Sequence, residues 1–155
     1  MMHHRSKIRH RLVTVLDAIP ALTGNVEASR RYPLERGFTM AATVQTLDEA
    51  ATLDIEDDED GDGLRRIVRF QIVVSSQDGA DPDTALDDIA ETIEAAIETD
   101  ETLQGLVHSI RLDSTRFDIP GADGGEEQPT QPVIRVGFIY TATFFTAAAD
   151  PARSY

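Results

Sequence analysis

The sequence predicts an α+β domain: about four strands of a mixed or antiparallel sheet, with two helices packed on one face. Three observations predict it. Leu86, Ile89, Ile93 and Ile97 recur at three- and four-residue steps, so residues 82–97 form a helix with one apolar side. Ile134, Val136, Phe138, Tyr140, Ala142 and Phe144 alternate with Arg135, Gly137, Thr141 and Thr143, the pattern of a half-buried strand. The remaining strand candidates follow one another across modest loops, which favours antiparallel pairing and leaves one sheet face for the helices to cover.

In chain order, Ser6 is a candidate cap for a first helix whose stripe is Ile8, Leu12, Val15, Leu16 and Ile19. Pro20 and then Gly24 end it. Residues 25–32 offer a short strand, with Val26 and Ala28 on one side. Pro33 interrupts it and Gly37 permits a bend. Phe38, Met40, Ala42 and Val44 then alternate with polar and small residues as a half-buried strand. Residues 48–63 are the most polar part of the chain and predict a mobile loop, because like charges repel and little there is apolar. Residues 64–75 form the next strand, with Val68, Phe70, Ile72 and Val74 facing one way and Arg65, Arg69 and Gln71 the other. Asp81 caps the central helix, and Pro82 sits at its first position, where a missing N–H costs nothing. Residues 107–117 read as a weaker strand with Ile110 and Leu112 inward, 119–132 as a Gly-, Glu- and Pro-rich loop, and 147–155 as a frayed tail.

A length of 155 residues suits one domain spanning the chain, with an ordered core over about residues 6–146 and mobile termini. No apolar run approaches the roughly 20 residues that cross a bilayer, and the basic N-terminal stretch lacks the pattern of a signal peptide. The absence of cysteine excludes disulfides and thiolate metal sites. A net charge of −14 argues against a general nucleic-acid-binding surface. It also predicts that copies repel one another, less so as salt rises. Lys7 is the sole lysine, and an acidic, Lys-poor composition suits a GC-rich genome or a halophilic host; the acidic charge also suits a ring through which DNA slides without sticking.

The chemistry-bearing residues do not assemble into a catalytic motif. Residues 58–63 match the first half of a calcium-binding EF-hand loop, but its twelfth position is Arg69, where a bidentate Glu is required. A solvated acidic loop is the expected reading. His3, His4 and His10 lie in a stretch expected to fray, without the frame a metal needs, and His108 stands alone at a strand start. There is no G-x-S-x-G and no Gly-rich phosphate loop. Carboxylate pairs such as Asp87-Asp88 and Glu126-Glu127 belong to a polar helix face or a loop. Arg30, Arg31, Arg65 and Arg66 are expected to pair with carboxylates, within a subunit or between subunits. The residues alone therefore predict no catalytic, cofactor or metal site.

Over residues 6–146 the order and spacing of these elements resembles the tail terminator proteins of long-tailed bacteriophages or related viruses, the minor tail protein U-like family. The features that carry the resemblance are the first helix, the Tyr32-Pro33-Leu34 kink and the strand from Phe38 to Val44. An acidic loop, an Arg/aliphatic strand and the central helix follow, then Thr102-Leu103-Gln104-Gly105-Leu106-Val107 and a closing strand ending Tyr140-Thr141-Ala142-Thr143-Phe144. The helix with its Thr-Leu-Gln-Gly-Leu-Val turn is the most specific piece.

The resemblance implies a structural virion protein rather than an enzyme. Such proteins form a six-membered homo-oligomeric ring on the head-proximal end of the tail tube. The ring ends tube polymerisation and presents a surface for head–tail joining. Its partners would be the major tail tube protein below and a neck or head-completion protein above, and DNA would pass through the lumen without specific binding. Assembly would take place in the host cytoplasm, with no membrane involved. Arg65 and Arg66, with Asp57, Asp58 and Asp60 of the acidic loop, are the candidate inter-subunit or partner contacts. Another neck protein (head-closure or tail-completion), a small cytoplasmic α+β binding module and, last, an enzyme remain open alternatives.

Overall fold

The structure is a computed structural model that describes residues 2–28, 39–53, 63–77, 81–118, 134–147 and 150–154. The element order is α1 (His4–Asp17), β1 (Val26–Glu27), β2 (Met40–Leu53), β3 (Gly63–Ser76), α2 (Pro82–Thr99), β4 (Ser109–Asp118), β5 (Ile134–Ala147) and β6 (Asp150–Ser154). Five strands run in the order β1-β2-β3-β5-β4, and β6 adds to the end of β5. β1 lies parallel to β2 and every other pairing is antiparallel, so the sheet is mixed. The fold is α+β, with somewhat more strands than the four or so predicted.

The strands β3 and β5 pair along their whole length in one unbroken register, from Gly63↔Ala147 to Ser76↔Ile134. Because successive side chains alternate, that register stacks Val68, Phe70 and Ile72 beside Ala142, Tyr140 and Phe138 on one face. All six are buried in a single cluster with Ile8, Leu12 and Leu16 of α1 and Leu86, Ile89 and Ile93 of α2. The two helices touch each other over this face, α1 against β2 and α2 against β3.

Both helices start on the side chain that precedes them. Asp81 accepts hydrogen bonds from the Thr84 backbone N–H at 3.2 Å and, through its other oxygen, from the Thr84 hydroxyl at 2.7 Å. Those two bonds hold its carboxyl below the usual carboxylate range. At α1 the cap is His3, whose Nδ1 accepts from the Arg5 N–H, so the helix begins before the predicted Ser6. The expected fraying is absent there because the next residue, His4, is buried.

α2 ends in a tight turn at residues 100–107. Leu103, Gln104 and Gly105 all have positive φ, at 48°, 57° and 82°. For the two non-glycine residues this costs of order 1–2 kcal/mol each. Two things offset it: Leu103 is fully buried, and Asp100 accepts a hydrogen bond from the Gln104 N–H at 3.1 Å. The other Asp100 oxygen accepts from Arg11 at 3.0 Å, which ties the turn to α1.

Three further expectations are corrected. Residues 48–53 continue β2 rather than opening the acidic loop, because a bulge at Leu47 keeps the strand in register with β3. The C-terminal residues expected to fray form β6, which returns beside β5. β4 starts at Ser109, two residues late, because Val107 ends the turn and is buried. The mobility expected of residues 54–62 and 119–132 lies outside the described residues.

Two substitutions test this core. Phe138→Asp places a carboxylate at a fully buried position and is expected to cost about 3–5 kcal/mol in urea unfolding. Tyr140→Phe tests the opposite case. The Tyr140 hydroxyl is buried with no hydrogen-bond partner among the described residues, and burial followed by the charge of Glu94 pushes the phenol pKa up. Removing it is expected to leave stability unchanged or raise it by up to about 1 kcal/mol; a clear loss would mean the hydroxyl has a partner.

Candidate functional site

Arg65 and Arg66 are adjacent in sequence and diverge in space, because neighbours on a strand point to opposite faces. Arg66 turns to the helix-covered face and is 9% exposed. Its Nε donates to the Thr146 hydroxyl at 2.6 Å, and its Nη1 to Glu49 Oε2 at 3.3 Å. The same Glu49 oxygen accepts from Arg5 of α1 at 2.8 Å. Arg66 is thus committed within its own subunit. Arg65 is exposed on the opposite face, and the ion pairs among the described residues use other cations. Asp57, Asp58 and Asp60 lie outside the described residues.

The Glu49 contact depends on the bulge at Leu47. Before it, Val44 and Thr46 sit opposite Ile72 and Phe70; after it, Glu49 sits opposite Val68. The extra residue therefore moves Glu49 onto the helix face, within reach of Arg66 and Arg5. Beside this cluster His4 is 2% exposed, with its ring 4.8 Å from that of Phe144 and its Nε2 2.6 Å from the Leu106 carbonyl oxygen. That short contact places the proton on Nε2, which donates to the carbonyl. The cluster fastens the start of α1 to three strands and to the turn after α2. One carboxylate is shared by two guanidinium groups, an arrangement for holding elements together.

The outer face of the sheet is divided. Toward one end Ala41, Val73 and Ser75 are buried, although they face away from the helices. Toward the other end lies a row across four strands, in which Asp48 of β2 sits opposite Arg69 of β3, then Thr141 of β5, then Arg111 of β4. Arg69 Nε donates to Asp48 Oδ1 at 2.9 Å. This bond holds the Asp48 carboxyl below its usual range and raises the guanidinium. Asp113 accepts from the Thr141 hydroxyl and lies 3.6 Å from Arg111. A second bulge, between Leu112 and Ser114, keeps Arg116 on the same face as Arg111 despite their odd spacing. The alternation of β3 already places Arg65 and Arg69 together in the sequence; the second bulge, which brings in Arg111 and Arg116, leaves no sequence signal.

Among the described residues, no three His, Asp or Glu side chains gather as a metal site, and no helix is long and apolar enough to cross a membrane. Phe117, at the end of the edge strand β4, is 69% exposed. Comparison of the chain with protein-family models returns no match, and neither does comparison with curated proteins.

Two measurements separate the roles. Arg66→Met leaves Glu49 with Arg5 as its one guanidinium partner and takes the donor from the Thr146 hydroxyl, and is expected to cost about 1–3 kcal/mol, while Arg65→Met stays within about 0.5 kcal/mol. Equal losses would mean that the two arginines share one environment. The second measurement concerns pH. Burial, and then the Arg5 charge, hold the His3 imidazole below its ordinary value of 6.5. The unfolded chain therefore takes up this proton first. The cap's contribution is fully present above pH 6.5 and fades as pH falls from there through the lower folded value. Amide exchange in the first turn of α1 is expected to speed up over that window in the wild type and to stay flat in His3→Asn, which caps without titrating.

Proposed function

We propose that this chain is a structural ring subunit at the head-proximal end of a long phage tail, acting as a tail terminator. In this reading it carries out no chemistry and binds no cofactor. Six copies close into a ring, one side of the ring matches the tail tube, and the other presents a different surface to the neck of the head. A tube subunit exposes the same two complementary faces at every level, so tube growth has no intrinsic end. A cap that fits the last level and offers no further tube face ends it.

The observation that carries the reading is the segment at residues 82–107, the most specific part of the resemblance. In this chain α2 and its Thr-Leu-Gln-Gly-Leu-Val turn form a junction: Leu103 enters the core, Asp100 holds Arg11, and the Leu106 carbonyl receives His4. The net charge supports the same reading, since an acidic lumen repels DNA phosphates and lets the genome pass. The ionic groups described above add to it, since they sit in caps and pairs that bind elements together.

The test is genetic and visual. A virus lacking this protein is expected to package DNA into heads and to make tails that overrun their normal length and fail to join. Electron microscopy of such lysates, with purified protein added back, is expected to show tails of normal length bearing a ring at one end. Empty heads, or normal tails joined to heads in the null mutant, would overturn the reading in favour of another neck role or a binding module.

A further inference from the structure

Among the described residues the exposed charges differ by face: α2 carries acidic side chains alone, and the outer face of the sheet carries arginines, two of which, Arg69 and Arg111, are paired there with Asp48 and Asp113. On α2, Asp83, Asp87, Glu91, Glu94 and Glu98 follow one another at steps of four, four, three and four residues. All five are exposed, and that spacing sets them in one stripe along a flank of the helix. α2 contains no Lys, Arg or His to neutralise them. Like charges one turn apart cost an isolated helix stability, so the stripe persists against a local penalty. Its length, over fifteen residues of rise, is about 22 Å.

The sheet's other face carries the opposite sign. Measured along β5, Arg65 lies at the level of Phe145, Arg69 and Arg111 at the level of Thr141, and Arg116 at the level of Gly137. These arginines form a diagonal line from β3 to β4 that extends about 26 Å along the strand direction. Arg65 and Arg116, at its two ends, are exposed and make no ion pair with a described residue. Three arginines of α1 are engaged elsewhere: Arg5 by Glu49, Arg9 by Thr46 and Arg11 by Asp100.

The acidic stripe and the arginine line are opposite in sign and similar in length, and they lie on opposite sides of one subunit. They cannot meet within a copy. We propose that copies associate head to tail, with the arginine line of one seated against the α2 stripe of the next. Such a contact uses two different surfaces, so repeating it generates a ring when the rotation closes. The inference deepens the ring reading above and rests on it for the closure at six copies; the pairing of the two faces stands on the charge pattern alone.

The test is exchange of charge, read as mass by sedimentation. Contact between unlike faces reverses the salt trend expected from the net charge: wild-type protein is expected to associate at low ionic strength, with the association weakening at least about tenfold as salt rises from about 0.05 to 0.5 M. One variant carries Arg65→Glu and Arg116→Glu, and another carries Asp87→Arg and Glu91→Arg. Each alone is expected to stay monomeric, with an unchanged circular-dichroism spectrum because all four positions are exposed. Mixed in equal amounts, they present matching faces again and are expected to recover the wild-type mass. Association that strengthens with salt, single variants that assemble like wild type, or a mixture that stays monomeric would each overturn the proposal. If the mixture stays monomeric while wild-type rings still cap tails, this pairing of faces fails and the terminator reading stands. If the exchange succeeds and the null mutant has normal tails, the reverse holds.

Discussion

The antiparallel pairing of β3 with β5 is the constraint on which the rest of the subunit depends. It is the longest unbroken ladder among the described residues, and it decides which side of every neighbouring strand is wet. β2 is laid on one side of it and β4 on the other, and each has to match its alternation. A one-residue slip of β5 would turn Phe138, Tyr140 and Phe144 to the outer face and bring Gly137, Thr141 and Thr143 under the helices. Both neighbours adjust by a bulge rather than by slipping, and in each case the bulge re-aims ionic side chains: Glu49 inward, Arg116 outward.

Those bulges mark the boundary of what the sequence reveals. The apolar faces of α2, β3 and β5 were legible because each keeps one period over its whole length, and every apolar residue named for them is buried except Ile134, which is half-buried at the end of β5. The inner ionic cluster was not. Glu49 reaches Arg66 only through the extra residue at Leu47, and residues 48–53 look like the start of an acidic loop because their alternation changes phase there. His4 was hidden for a different reason. A histidine near a terminus has no periodic context, and its burial comes from Phe144 and Leu106, more than a hundred residues away in sequence. β6 was missed because a short segment containing Pro151 resembles a tail by composition. Of the candidate site, the outward direction of Arg65 could be read from strand alternation; the inward commitment of Arg66 needed the bulge and Thr146.

Charge at the level of the whole chain and charge at the level of a face point in different directions. A net charge of −14 describes a molecule that repels its own kind at a distance. Close approach is governed instead by which side chains meet, and here α2 supplies only anions while the exposed arginines stand on the far side of the sheet. A subunit built this way combines repulsion between copies at long range with attraction between unlike faces at contact, so distance decides which of the two acts. The fold serves this by keeping the two faces a full layer apart, with an apolar core between them that neither charge can cross.

The hydrogen bond from His4 to the Leu106 carbonyl spans 102 positions of the chain. During folding, the His4 side chain has no seat until α2 has ended, the left-handed turn has closed and Phe144 has joined the sheet. Bringing such distant segments together costs loop entropy that only nearly complete tertiary structure repays. The His4 contact is therefore among the last to form. Weakening that contact would leave the folding rate almost untouched and shorten the lifetime of the folded state instead.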